Sequence, residues 1–107
     1  MVEYEVKCPS GAEYKMRTMN FLERNELTKA CTTYKEVKND AGELEVVPNV
    51  DGILMIEKAL CMLIVEAPWL KGEKEISRDM LKNIESIDAD MLSEGITEKN
   101  FLKKESK

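Results

Sequence analysis

The chain is predicted to be α+β, an N-terminal β-hairpin packed with a bundle of about four helices, on three observations. Apolar and charged residues alternate with a period of two across residues 2–17. Residues 53–66 are almost wholly apolar. The remaining stretches place apolar residues three and four apart, the spacing that lines one face of a helix. Residues 1–103 are read as a single domain and 104–107 as a frayed tail.

In the first segment Val2, Tyr4, Val6 and Cys8 alternate with Glu3, Glu5 and Lys7. The alternation resumes with Ala12, Tyr14 and Met16 against Glu13, Lys15 and Arg17. Between them Pro9-Ser10-Gly11 supplies a three-residue hairpin loop, Pro fixing φ at the first corner and Gly taking the left-handed position. Asn20 caps the next helix, with Glu23 three residues on completing a capping box. Leu27, Ala30, Cys31 and Tyr34 continue that helix as its buried stripe. Residues 35–38 and 43–47 flank the turn signal Asn39-Asp40-Ala41-Gly42, which suits either a second, shorter hairpin or a disordered acidic loop.

Pro48 is read as a stop, with Asn49 or Asp51 capping a central helix over residues 53–65. Only Glu57 and Lys58 are charged there, so the helix is expected to be covered on several sides. Pro68 bars its continuation, because it lacks an N–H and disfavours helix at the residue before it. Ser77 is placed as the cap of a short helix with Met80, Leu81 and Ile84 inward. Ser86 is placed as the cap of another in which Ile87, Met91 and Leu92 face the core and Gly95 weakens or breaks the helix.

At 107 residues the chain has room for one domain, which buries roughly 65% of its unfolded surface without needing a metal or a disulfide. Its 16 Lys and Arg against 21 Asp and Glu give a net charge of −5, a field that repels phosphate and makes nucleic acid and anionic membranes poor partners. Glu57, Lys58 and Glu66 interrupt the apolar segment, so it is read as a core helix rather than a membrane span. Cys8, Cys31 and Cys61 fit no paired framework and no CxxC spacing, and are read as free thiols of a cytoplasmic protein. The first residues lack the basic and apolar regions of a signal peptide.

Chemistry is scarce. With no His, Cys–His and Ser–His pairs cannot form, and no zinc pattern can be completed. Asp88 and Asp90, or Glu73 and Glu75, sit in polar runs without a phosphate loop or an EF-hand frame and are read as solvated faces. No catalytic residue, metal site or cofactor is therefore assigned, and the chain is read as a non-enzyme. Met55, Met62, Met80 and Met91 fall on apolar stripes, whereas Met16 and Met19 flank the hairpin exit and are the methionines expected to touch a partner. Trp69, directly after Pro68, suits either a cap on the core or an interface anchor.

The opening segment at residues 4–16, the junction Met19-Asn20-Phe21-Leu22-Glu23-Arg24-Asn25-Glu26-Leu27 and the late helical stretch 84–100 ending near Lys103-Lys104 resemble phage tail assembly chaperones, cytoplasmic proteins of tailed phages and prophages. The resemblance implies a non-enzymatic scaffold of virion morphogenesis that holds the tape measure protein, recruits tail tube subunits and self-associates as a homo-oligomer. Trp69, Leu70, Ile96 and Phe101, apolar residues outside the best-defined stripes, join Met19 as expected contacts. The 34–47 segment and the Trp69 loop have no counterpart in that pattern. The competing reading is a small acidic regulatory or adaptor module that binds a basic protein partner.

Overall fold

The computed structural model describes residues 2–73 and 75–101; the tail expected at 104–107 and the Lys103-Lys104 pair lie outside the described residues. The chain runs β1 (Glu3–Lys7), β2 (Glu13–Arg17), α1 (Phe21–Ala30), β3 (Thr32–Lys38), β4 (Leu44–Val50), α2 (Gly52–Leu63) and β5 (Ile64–Glu66). A 3-10 helix at Arg78–Asn83 and α3 (Ser86–Asn100) complete it. β2 lies between β1 and β5 in an antiparallel three-stranded sheet, and β3 and β4 form a separate two-stranded one.

The expected bundle of about four helices does not form. Among the described residues strands interleave with helices along the chain, one of the four helical pieces is 3-10, and the fold is two sheets with helices against one of them. Two local choices account for the difference. The helical stripe drawn to Tyr34 ends at Cys31, because Thr32, Thr33, Tyr34 and Val37 are β-branched or aromatic and pair with β4. The central helix stops at Leu63, since the β-branched pair Ile64-Val65 enters β5 and lies along β2.

The first hairpin forms as its alternation requires. Val6, Cys8, Tyr14 and Met16 are buried on one face, while Glu3 and Lys15 meet at 3.6 Å on the other. Cys8 N–H donates to Ala12 and Gly11 N–H to Cys8, with Gly11 at φ +94°, a three-residue loop ending in a left-handed residue. Asn20 and Glu23 make the capping box reciprocally at 2.8 and 3.0 Å. Arg17, at the end of β2, adds a two-pronged contact to the same carboxylate at 3.0 and 2.8 Å, which fixes the angle between strand and helix.

Helices α2 and α3 cover the apolar face of the three-stranded sheet. Met16, Leu63 and Leu92 are fully enclosed, with Leu27, Cys31, Ala59, Leu60, Ile64 and Ile96 around them. On α3 the buried stripe is Asp88, Leu92 and Ile96, not Ile87 and Met91, which are exposed. Asp88 is 1% exposed, overturning its reading as part of a solvated face. Its carboxylate accepts from Ser10 N–H at 3.1 Å and from the Ser10 hydroxyl, pinning the hairpin loop to the start of α3. Gly95 does not break α3, and at this position the helix lies across Tyr4 and Val6 of β1. Ser77 takes the N-cap position of the 3-10 helix but makes no side-chain capping hydrogen bond, whereas Ser86 is already inside α3, whose N-cap is Glu85.

Pro48 does not stop β4. Cys31 O accepts from Asp51 N–H and Glu43 O from Asn39 N–H, so along the 32–50 ladder Pro48 falls opposite Tyr34 at a non-hydrogen-bonded pair. Its missing N–H would have pointed to the open edge. Asp51 then caps α2 by accepting from Leu54 N–H at 3.0 Å. No helix among the described residues is long and apolar enough to cross a membrane.

Candidate protein-binding surfaces

Met16, expected to touch a partner, is instead fully enclosed in the core, and the other five residues singled out from sequence separate into three environments. Trp69 is half-buried against the core: its indole N–H donates to the Tyr14 hydroxyl at 2.9 Å, and the two rings meet edge-on with centroids 6.3 Å apart. Of its two readings, the cap on the core describes this geometry. Leu70 is half-buried too, closing a turn by donating its N–H to Ala67 O. Met19 packs on the core while its N–H donates to Asn100 Oδ1 at 2.6 Å, tying the hairpin exit to the last turn of α3.

Ile96 and Phe101 are brought together. They line a groove between α1, α2 and α3 with Leu27, Met55, Ile56 and Ala59. Ile96 forms the floor and is 6% exposed, so it is a core residue rather than a surface contact. Phe101 forms the rim, with the Arg24 guanidinium 5.7 Å from its ring centroid. At about 90 Å³ the groove is far smaller than a cofactor or small-molecule site and admits one or two side chains of another protein.

Sequence reasoning missed the apolar residues that α2 leaves in water. Ile53 is 75% exposed and Ile56 also projects, so the helix is covered along one side only, against the expectation of burial on several. An apolar circumference signals burial all round only when enough other chain exists to cover it. Ala59, Leu60 and Leu63 take the available cover, with Leu54 and Met55 partly buried beside them, and Ile53 and Ile56 are left in water.

Burial holds the three thiols toward their protonated form. Burial pushes the Cys8 thiol above its ordinary range, and the neighbouring Asp88 charge adds to it. Burial likewise raises Cys31 against a weaker opposing pull from Lys58, and raises Cys61 with help from Glu57. All three are free, and a nucleophilic cysteine needs the opposite shift. Among the described residues no three His, Cys, Asp or Glu side chains converge as a metal-binding group. No protein family, curated protein or solved structure matches the chain.

Proposed function

We propose that this chain is a non-enzymatic, cytoplasmic protein-binding module that acts as a phage or prophage tail assembly chaperone, holding segments of the tape measure protein and aiding tail tube assembly. The observation that supports the reading most directly is the groove rimmed by Phe101 and Ile56, continued along α2 by Ile53. Apolar side chains in a shallow channel between helices suit the apolar stripe of an amphipathic helical segment. The charged outer face of the three-stranded sheet keeps such a molecule in solution.

Co-expression with a helical fragment of a tape measure protein tests the proposal. The fragment is expected to become soluble and to co-purify with the chain, and Ile56→Asp or Phe101→Ala to weaken capture about tenfold or more. A fragment that stays insoluble and unbound overturns the reading. Binding that instead follows a basic partner and collapses with moderate salt selects the acidic adaptor reading.

A further inference from the structure

We infer that the β3–β4 hairpin is a self-association arm, and that two copies of this chain pack it face to face with their strands running in opposite directions. Self-association is also what the chaperone resemblance implies; seating it on this hairpin, which has no counterpart in that pattern, depends on strand register. Because β3 and β4 pair without a bulge, Thr32, Tyr34, Glu36 and Lys38 share one face with Val50, Pro48, Val46 and Leu44. That face carries Tyr34, Leu44, Val46 and Val50 at 70, 64, 64 and 50% exposure, and β3 and β4 pack against each other and little else. Two strands alone are marginal in water, and an apolar face of this kind calls for cover.

The pattern on the face selects the occupant. Turning a second copy about an axis that lies between the sheets and across the strands sets β3 over β3 and β4 over β4, with the direction reversed. Leu44 then meets Val50, and Val46 meets Pro48, an all-apolar strip repeated twice by symmetry. On the other strand Tyr34 meets Glu36 and Thr32 meets Lys38, so each charge faces a hydroxyl and neither faces its own sign. The acidic turns bearing Asp40 and Glu43 lie at opposite ends. The alternative axis, along the strands, sets Glu36 over Val46 and Lys38 over Leu44 and brings the two acidic turns together. Pro48 also removes a donor from the open edge of β4, which disfavours strand addition there and favours packing through the face.

The strands carry Lys35, Lys38, Glu36 and Glu45, which cancel, on a chain of net charge −5. Like copies therefore meet here without the repulsion they would meet elsewhere. A face of this size covers on the order of 500 Å² per copy, about 1,000 Å² in all, the lower bound for a specific contact, so a weak, concentration-dependent dimer is expected.

Sedimentation equilibrium between about 1 and 300 μM tests the arm, with mass expected to rise from one copy to two. Val46→Lys, at a position exposed within one copy, is expected to keep the far-ultraviolet circular dichroism and weaken the dimer at least tenfold. In a Cys61→Ser background, Leu44→Cys with Val50→Cys is expected to cross-link two copies on oxidation, whereas Leu44→Cys alone is not. A wild-type chain monomeric throughout the range overturns the inference, as does a Val46→Lys variant that dimerises like wild type. Efficient cross-linking by Leu44→Cys alone overturns the antiparallel packing.

Discussion

The β1–β2 and β3–β4 hairpins are closed by loops of the same construction. In each, three residues end in a glycine at positive φ, Gly11 at +94° and Gly42 at +80°, and the flanking residues, Cys8 with Ala12 and Asn39 with Glu43, are joined by a backbone hydrogen bond. Their fates differ. The first gains β5 as a third strand, α3 across its face and Asp88 gripping its loop, and becomes the floor of the core. The second, with longer strands, gains none of these and stays exposed on both faces. Local turn chemistry makes a hairpin; burial depends on what the rest of the chain brings to it.

The largest test of that difference is a truncation beneath the first hairpin. Leu63 is fully enclosed at the end of α2, and Leu63→Ala is expected to cost about 3–4 kcal/mol in urea unfolding, the range for a core cavity that cannot collapse. A loss below 1 kcal/mol would mean that the sheet and helices are not one packed unit. Next is Asp88→Ala, which strips the partner from the Ser10 N–H and hydroxyl. About 2–3 kcal/mol is expected, with Ser10→Ala smaller at about 1 kcal/mol, measured the same way.

The first hairpin, the capping box and the turn at residues 39–42 were legible because each is written in neighbouring residues: alternation, Asn20 with Glu23, a terminal glycine. The Arg17 contact to Glu23 and the Asp88 contact to Ser10 were not: the first joins a strand end to a helix across a junction of 6 residues and the second spans 78, so no helical or strand period marks either partner. A carboxylate among Ile87, Ala89 and Asp90 reads as solvated on charge alone. Only its i, i+4, i+8 relation to Leu92 and Ile96 hinted at burial. Of the candidate contacts, Phe101 lies at a surface groove, while Ile96, four residues after Leu92, continues the buried stripe of α3, and Trp69 caps the core, one of the two readings its place after Pro68 allowed.

Acid should loosen the junction that leads away from the first hairpin. The Arg17 guanidinium, with the Asn20 N–H, holds the Glu23 carboxyl down at about 2, below its ordinary 4.5. A carboxyl with a depressed folded value contributes its stability above the unfolded value and loses it as pH falls through the folded one. The contribution is therefore complete above about pH 5 and declines toward pH 2; with solvent screening at this surface position it amounts to about 1–2 kcal/mol. Glu23→Gln is expected to flatten that part of the stability–pH curve. An unchanged slope would show that the pair is open in solution.

Gly95 measures how tightly α3 lies on the first hairpin. A methyl group added there would meet Tyr4 and Val6 side-chain carbons at 3.6 and 3.7 Å, ordinary contact distances, and the helix would gain alanine's preference over glycine. Gly95→Ala is therefore expected to stabilise by about 0.5–1 kcal/mol in urea unfolding. Destabilisation would place α3 nearer the sheet than these distances allow.

The smallest effect belongs to the arm, and its size should depend on concentration. Val46 lies on the exposed face of the second hairpin, opposite Glu36, so within one copy Val46→Ala removes little buried surface and should change stability by less than about 0.5 kcal/mol. If two copies pack through that face, the same side chain is buried against Pro48 of the other copy. The loss should then grow by about 1 kcal/mol when unfolding is followed at hundreds of micromolar rather than at one, because binding to the folded state alone adds to stability by mass action. Leu63→Ala should show the same loss at both concentrations. A Val46→Ala cost that is large and independent of concentration would mean that the arm is already packed within one copy, and would erase the difference between the two hairpins.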